Sequence, residues 1–397
     1  MVGVMAEQQN IRVLKFGGSS LACDDGFLAA ANLIQEHAEV ARVVVVVSAR
    51  GNSTDQSAAL CERYHASKRE AAVVLATGEQ LSTGLFAAFL QQQGIGAQSF
   101  QGWQLPIITD HGPTGAKVQS VNTSILQHCI ATQIVPVISG FQGINGDGEI
   151  TTFARGGSDT TAVAVAAALQ AEACYIYTDV LGVCTADPRR VPEARVVDQL
   201  DYTSMLGMAH MGAGVLSTEA VSTAMAFRVP VWVRHTQQRA RGTLVAHVGS
   251  SDRAIDGLAH QSKNDCYVFN GDVNVMSILA DSGIQPIFMN QYQNKGVYQC
   301  MMLFPRGITS FEPYCNKLGV NYELISGVSM ISIMGSFTEM DQGILSKVLS
   351  ILKDIRVMAF GLSSMKISVI IPDQCLDQAL NALHKGLQLS RSSSCIE

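Results

Sequence analysis

Three short segments hold residue types that could handle phosphates, a carboxylate and a nucleotide. The first is Lys15-Phe16-Gly17-Gly18-Ser19-Ser20. Adjacent glycines let backbone N–H groups approach an anion closely, and a lysine beside them adds a point charge for a phosphate oxygen. The second is Arg155-Gly156-Gly157-Ser158-Asp159-Thr160-Thr161, which opens the run Ala162 to Leu169. Glycines at a helix N-terminus make an anion site. Ser158 or Asp159 is placed to cap that helix. Arg155 would clamp a carboxylate with two parallel bonds, and Asp159 would orient a lysine or a metal–phosphate group. The third runs from Tyr177-Thr178-Asp179 through Gly182-Val183-Cys184 to Asp187-Pro188-Arg189. Its Asp, Gly and Pro residues make a turn-rich loop suited to a nucleotide base and ribose. Taken singly, each has a plain structural reading: a glycine turn with a surface lysine, a helix cap with a solvated arginine, and a long surface connection. The first is not a Walker A loop, which needs Gly-x4-Gly-Lys-Ser/Thr.

These segments need elements to hold them. Ile11 to Phe16 reads as a short strand, followed by an alanine-rich helical stretch to about Glu39. The five valines Val43 to Val47 read as a strand buried on both faces, broken by Ser48-Ala49-Arg50-Gly51. Thr77-Gly78-Glu79 stands just before an apolar helix from about Leu81 to Gln92. Ile134 to Ile138 and Tyr175 to Thr178 supply two more buried strands. Strands alternating with helices predict an α/β fold with a mostly parallel sheet and helices on both faces. The Gly, Ser and Thr residues gather just after strands, where open α/β sheets place their ligands.

The pattern changes after about Val248. Gly249-Ser250-Ser251-Asp252 reads as a linker. Beyond it, two stretches look alike: Val273 to Ala280, Gly283-Ile284, then an extended Gln285 to Asn290; and Gly343 to Leu352, then an extended Arg356 to Phe360. Each reads as helix, turn and strand of a βαββαβ unit.

The chain has 397 residues, so two or three domains are expected. Hydrophobic residues at 47% against 15% charged exclude a disordered chain. The net charge is -6 and no Lys/Arg-rich run exists, so nucleic acid is not expected as a partner. No apolar run approaches the length of a bilayer span, Val43 to Val47 being far too short, and no membrane association is expected. No charged start precedes an apolar stretch at the N-terminus, so no secretory signal is expected. The ten cysteines are scattered, without CxxC or Cys/His ligand spacing; they read as free thiols in a reducing, cytoplasmic compartment and predict no metal-ligating side chains.

In order and spacing, the three segments resemble the aspartokinase family from Val13 to about Thr243. The stretches KFGGSS, VVVVVSARGNSTD, ATGEQLS, GFQGINGDGEITTFARGGSDTTAVAVAAAL, IYTDVLGVCTADPRRVPEAR and VPVWVR carry the resemblance. It implies a three-layer α/β/α amino-acid kinase fold over residues 1–250. It also implies two ferredoxin-like ACT units over 262–390, where Met365 to Leu387 is similar to the family's closing strand and helix. The implied reaction is transfer of a phosphoryl group from ATP, with Mg²⁺, to the side-chain carboxylate of L-aspartate. That is the first step toward lysine, threonine, methionine and diaminopimelate. By the same resemblance Lys15, Gly17, Gly18 and Ser19 would bind the ATP phosphates, with Lys15 stabilising the transferring group and Asp159 organising that lysine. Glu79 would hold the substrate ammonium and Arg155 its α-carboxylate, with Ser48, Thr54 and Ser158 supplying further hydrogen bonds. Thr178, Asp179, Asp187 and Arg189 would line the nucleotide site. The ACT pair implies a homodimer or higher homo-oligomer and an amino-acid effector, lysine or threonine.

The chain departs from the family in three places. Gly214 stands where the family has a nucleotide-reaching lysine, Cys184 where it has a tyrosine, and Phe269-Asn270-Gly271-Asp272-Val273-Asn274 where it has an Asp-x-Pro-Gly loop. Two alternatives therefore stay open: a specialised paralogue without feedback or with another small amino acid as substrate, and a weakly catalytic amino-acid-binding subunit. The retained set Lys15, Glu79, Arg155 and Asp159 argues against the second. No Gly-x-Gly-x-x-Gly follows the first strand, which excludes a dehydrogenase, and no HRD or DFG segment exists, which excludes a protein kinase.

Overall fold

The structure, a computed structural model, describes residues 10–212, 214–247, 255–271, 275–282, 284–294, 297–307, 312–317, 320–335, 337, 342–363 and 365–390. The linker Gly249 to Asp252, the stretch Asp272 to Asn274, Ala213 and Gly283 lie outside the described residues. The chain divides into two compact units. One comprises Met1–Val183, Val196–Ala209 and Gly214–Ser250; the other comprises Cys184–Arg195, His210–Ala213 and Ser251–Glu397.

The first unit runs β1 (Ile11–Phe16), α1 (Asp24–Ala38), β2 (Arg42–Val47), α2 (Ser53–Arg63), α3 (Lys68–Gln92), β3 (Ala97–Phe100), β4 (Ile107–Thr109), β5 (Val118–Val121), α4 (Ser124–Ala131), β6 (Val135–Ser139), β7 (Gln142–Ile144), β8 (Ile150–Thr152), α5 (Gly157–Ala168), β9 (Ala173–Thr178), β10 (Gln199–Leu200), α6 (Tyr202–His210), α7 (Thr218–Phe227), β11 (Val231–His235) and β12 (Thr243–Val245). Its main sheet has the order β10-β12-β11-β9-β1-β2-β6-β3, with only the β11–β12 pair antiparallel. A small sheet, β5-β4-β7-β8, stands beside it.

β2 lies inside the sheet because its valines suit a pleated surface covered on both faces. All five are buried, each worth about 1.5 kcal/mol or more. β1 sits between β2 and β9, with Lys15 level with Val46 on one side and Ile176 on the other. The chain builds outward from β1 in both directions, so the switch point of the parallel sheet lies at the end of β1. Alternation then sorts the side chains. Leu14, Phe16, Tyr175 and Tyr177 join the core formed with α1 and Phe86 of α3. Lys15 points to the opposite face, where α5 packs.

α3 corrects the sequence reading in two ways. It begins at Lys68, capped by Ser67, and continues unbroken through Gly78 and Glu79. By length and by a mean hydropathy of 1.4 over its most apolar eighteen residues it could cross a bilayer, which a search for unbroken apolar runs overlooks. Its Ala72, Ala76, Glu79, Thr83, Phe86 and Leu90 recur at helical spacing and are buried in the first unit.

The second unit runs β13 (Gly257–Asn270), α8 (Val275–Ser282), β14 (Phe288–Asn294), β15 (Val297–Pro305), α9 (Glu312–Lys317), β16 (Tyr322–Met334), α10 (Gln342–Ile351), β17 (Ala359–Leu362), β18 (Lys366–Pro372) and α11 (Leu376–Gly386). Its sheet, β14-β15-β13-β16-β18-β17, is antiparallel throughout. The long strands β13 and β16 run the length of two halves, with a register shift near Gln261 and Asn264. One half has a core of Tyr267, Phe269, Met302 and Phe304; the other has one of Ile331, Val348, Val369 and Leu380. The two look-alike helix–strand stretches are thus α8–β14 and α10–β17, one in each half, sharing the central strands.

Candidate active site

The loops after β1 and β2 and the first turn of α5 converge on Lys15. Its Nζ lies 2.6 Å from Asp159 Oδ1, with both side chains about nine-tenths buried. Asp159 and Ser158 do not cap α5 as the sequence pattern suggested. The N-cap is Gly156, in a left-handed conformation (φ 80°) with no side-chain cap bond. The helix therefore starts earlier, and Asp159 falls inside its first turn facing β1. The N–H groups of Gly157 and Ser158 have no partner among the described residues and point out of the helix start, while Asp159 N–H donates to Gly156 O (3.0 Å). Ser158 lies against Gly140, just beyond β6.

The loop after β1 is shaped by close backbone approach. A Cβ on Gly18 would stand 2.4 Å from the Ala49 carbonyl oxygen, so only glycine fits there. Gly51 N–H donates to Gly18 O (3.0 Å) and Ser48 N–H to Phe16 O (3.1 Å), so the loops after β1 and β2 lie side by side. Gly17 N–H is taken by Tyr177 O (3.1 Å). The N–H groups of Gly18, Ser19 and Ser20 have no partner among the described residues and are the ones free to meet an anion.

Glu79 projects from the middle of α3 into the same site. Its carboxylate accepts from the Ala49 backbone and senses the Lys15 charge, yet burial outweighs both and pushes its pKa up to about 7. Its Oε2 is buried without a hydrogen-bond partner. An orphaned carboxylate oxygen in a dry site is costly unless a cation completes it. Thr83 donates to the Glu79 carbonyl (2.6 Å) and touches Ser139 Oγ (2.8 Å), fixing this turn of α3 against β6.

The remaining expected residues divide in two. Ser48 is half-buried beside Ala49, Thr54 is half-buried in the first turn of α2, and Arg155 is exposed just before α5 with no partner among the described residues. Thr178 ends β9 and donates to the Asp179 carboxylate (3.1 Å). All of these belong to the first unit. Asp187 and Arg189 do not: Cys184–Arg195 is part of the second unit. There Ala186 and Val191 enter the core with Leu380 and Leu383. Thr185 Oγ1 meets His384 Nε2 (2.9 Å), and Arg190 pairs with Asp377 (2.5 Å). Arg189 folds back on Asp187, through Nε to Oδ1 and Nη2 to Oδ2, both 2.9 Å, and holds that carboxyl below its ordinary range. Cys184 is half-buried on the same segment. Gly214 is exposed with φ 68°.

Sequence reasoning missed three positioning groups. Arg50 donates from Nε to Leu21 O (2.8 Å) and from Nη2 to Ala22 O (3.1 Å), lies over the Phe27 ring (4.8 Å), and its N–H reaches Ser82 Oγ (3.0 Å). It ties the loops after β1 and β2 to α1 and α3. Thr236 donates to Thr178 O (3.1 Å) and so accepts from Ser20 Oγ (2.6 Å). Tyr177 supplies the carbonyl that fixes Gly17. Arg50, next to a glycine after a strand, and Tyr177, at the head of the third segment, left a local signal; Thr236 left none.

Comparison with known proteins identifies the family. The sequence model of the amino acid kinase family matches residues 10–235. The aspartokinase of Geobacillus stearothermophilus is 34% identical, over 97% of this chain and 99% of its own. Aspartokinase 2 of Bacillus subtilis is also 34% identical, again over 97% and 99%. The crystal structure of E. coli aspartokinase III in complex with aspartate and ADP, in the R-state, superposes with a TM-score of 0.82 at 24% identity, over 96% of this chain and 100% of that one. The complex of that enzyme with lysine and aspartate, in the T-state, gives 0.76 at 24% identity, over 95% and 99%.

Proposed function

The chain belongs to the aspartokinases of the amino acid kinase family, and from that premise we propose how its own residues carry out ATP-dependent phosphorylation of the L-aspartate side-chain carboxylate. The observation that carries the reading is the buried Lys15–Asp159 pair with the unpartnered Glu79 Oε2 in the same site. A zwitterion with a second carboxylate supplies what this set lacks: an ammonium for Glu79 and an anion for the donors around Lys15.

The acceptor is already an anion, so no general base is needed. The difficulty is bringing two anions together, and it is met by positioning and by neutralising the transferring oxygens. Lys15 lies against the transferring group, held there by Asp159. The N–H groups of Gly18, Ser19 and Ser20 and the start of α5 take the phosphate oxygens. Glu79 fixes the substrate ammonium and Arg155 its α-carboxylate, while Ser48, Thr54 and Ser158 close the remaining hydrogen bonds. Thr178 and Asp179 border the nucleoside.

Among the described residues no group of three or more His, Cys, Asp or Glu side chains is placed to enclose a metal. Mg²⁺ would enter as an ion held chiefly by phosphate oxygens and water. Held so, it would neutralise charge on the phosphates.

We further assign residues 1–250 to catalysis and 262–390 to a paired ACT regulatory and dimerisation region with an amino-acid effector, lysine or threonine. The nine described cysteines are all free, which suits a cytoplasmic location. Thermal denaturation with added ligands tests the scheme. MgATP and L-aspartate should each raise the melting temperature. Stabilisation by lysine or threonine alone, with no response to nucleotide, would mean a binding subunit instead.

A further inference from the structure

A second cavity, of about 630 Å³, lies in the first unit between α1 and residues 235–241 after β11. It opens on the α1 face of the main sheet, whereas Lys15 and Asp159 meet on the α5 face. In a chain of net charge -6, Arg12, Arg234, Arg239 and Arg241 line this cavity against a single carboxylate, Glu36.

The cations are fixed in place. Arg12 is level with Ala173, Trp232 with Tyr175 and Arg234 with Tyr177, so strand alternation puts their side chains on one face. The Arg234 guanidinium stacks between Trp232 (4.7 Å) and Tyr175 (5.3 Å), and Arg12 covers Tyr175 at 5.6 Å. Arg12 uses Nε and Nη2 on Glu172, both 3.0 Å, and Nη1 on His37 Nδ1 (3.4 Å). His37 is buried and held neutral, its pKa lowered to about 4 by burial and then by Arg12 and Arg234. Accepting from Arg12 at Nδ1, it carries its proton on Nε2 and donates to Tyr177 Oη (2.8 Å). The Tyr177 hydroxyl proton is thereby left to donate into the cavity. Among the described residues Arg234 Nε is buried without a hydrogen-bond partner, the guanidinium otherwise donates to the Tyr177 hydroxyl, and neither Arg234 nor Arg241 has an ion pair. Arg239 pairs with Glu36 at the exposed rim. A stacked, half-buried guanidinium with no counter-charge is costly unless an anion completes it.

We propose that this cavity is a binding site for a small, multiply charged anion, a phosphorylated metabolite or a polycarboxylate, separate from the phosphoryl-transfer site. Arg234, Arg241 and the Tyr177 hydroxyl would be its principal donors, with Arg239 leaving Glu36 to join them. Its wall is coupled to catalysis through Thr236, which follows β11 and hydrogen-bonds both Ser20 and Thr178 O.

The test is calorimetric titration of the full chain, in magnesium-free buffer, with pyrophosphate and separately with citrate. One equivalent should bind, about tenfold more weakly in Arg241→Ala and beyond detection in Arg234→Met/Arg241→Ala, while Lys15→Ala retains it. Arg241→Ala is an exposed change, and its unaltered turnover without added anion would show an intact fold. Binding of pyrophosphate alone would assign the site to phosphorylated ligands; comparable binding of citrate would extend it to polycarboxylates. The proposal is overturned if neither probe binds, if the arginine variants bind as the parent does, or if Lys15→Ala removes the binding.

Discussion

Lys15 Nζ and Asp159 Oδ1 stand 2.6 Å apart, one at the end of the central strand and the other in the first turn of α5. The pair ties the end of β1 to the start of α5 on one face of the sheet. A buried pair broken on one side leaves an uncompensated charge, at a cost of about 3–5 kcal/mol, whereas removing both partners costs less. Lys15→Met and Asp159→Leu should each lower stability in urea by more than the double variant does. Each should also lower turnover by at least about a hundredfold, and Lys15→Ala and Asp159→Ala should do the same. Normal turnover in a variant would remove that residue from the mechanism.

Glu79 predicts a pH dependence with a definite sign. Its carboxyl titrates near 4.5 when unfolded and near 7 when folded and empty. The folded state binds the extra proton between these values. The stability this contributes is fully present below about 4.5 and is lost as pH rises through about 7. Glu79→Gln should therefore raise the melting point relative to wild type above about pH 8 and leave it unchanged near pH 4.5, the difference amounting to at most about 3 kcal/mol.

The same carboxylate must be ionised to hold an ammonium. In wild type, kcat/KM for aspartate should fall about tenfold per pH unit below about pH 7. Aspartate binding near that pH should release protons, measurable as a buffer-dependent binding enthalpy. A flat profile from pH 5 to 8 would place the ammonium elsewhere.

Arg50 touches no reacting group but holds Leu21 and Ala22 in place. Arg50→Ala should cost about 1–3 kcal/mol of stability and raise KM for ATP more than it lowers kcat. Arg50→Lys should restore only part, because an ammonium cannot span two carbonyls as a planar fork does. A loss of stability with KM unchanged would make Arg50 structural only.

Gly214 occupies the position at which the family resemblance expects a lysine, in a backbone conformation that suits glycine (φ 68°). Gly214→Lys should cost about 1–2 kcal/mol of stability. The added cation should lower KM for ATP about fivefold, corresponding to about 1 kcal/mol after solvent screening.

What the sequence made legible was the local part of the site. The Lys15 loop, the Arg155–Thr161 turn and the valine strand β2 each announce themselves within a few residues. The boundaries were harder. Gly78 suggested a break before Leu81, but α3 continues because it packs so closely on the loop after β2 that a Cβ there would stand 2.8 Å from Ala49 Cβ. Asp159 looked like a cap because the pattern fits one, while its actual partner lies about 140 residues earlier in the chain. Thr236 and Arg234 reach the Lys15 loop and the second cavity only through the register of β11 on β9 and of β9 on β1, which no local pattern encodes. Asp187 and Arg189 read as part of a continuous nucleotide loop, yet their segment is held by α11, nearly two hundred residues later.

Phosphorylation of aspartate through Lys15 and Asp159 is measured by incubating the purified chain with MgATP, L-aspartate and hydroxylamine and quantifying the aspartyl hydroxamate trapped. Aspartate-dependent hydroxamate in wild type, with loss of at least about a hundredfold in Lys15→Ala and Asp159→Ala, is the expected result. No hydroxamate at saturating MgATP and aspartate, or equal product in the two variants, would contradict it.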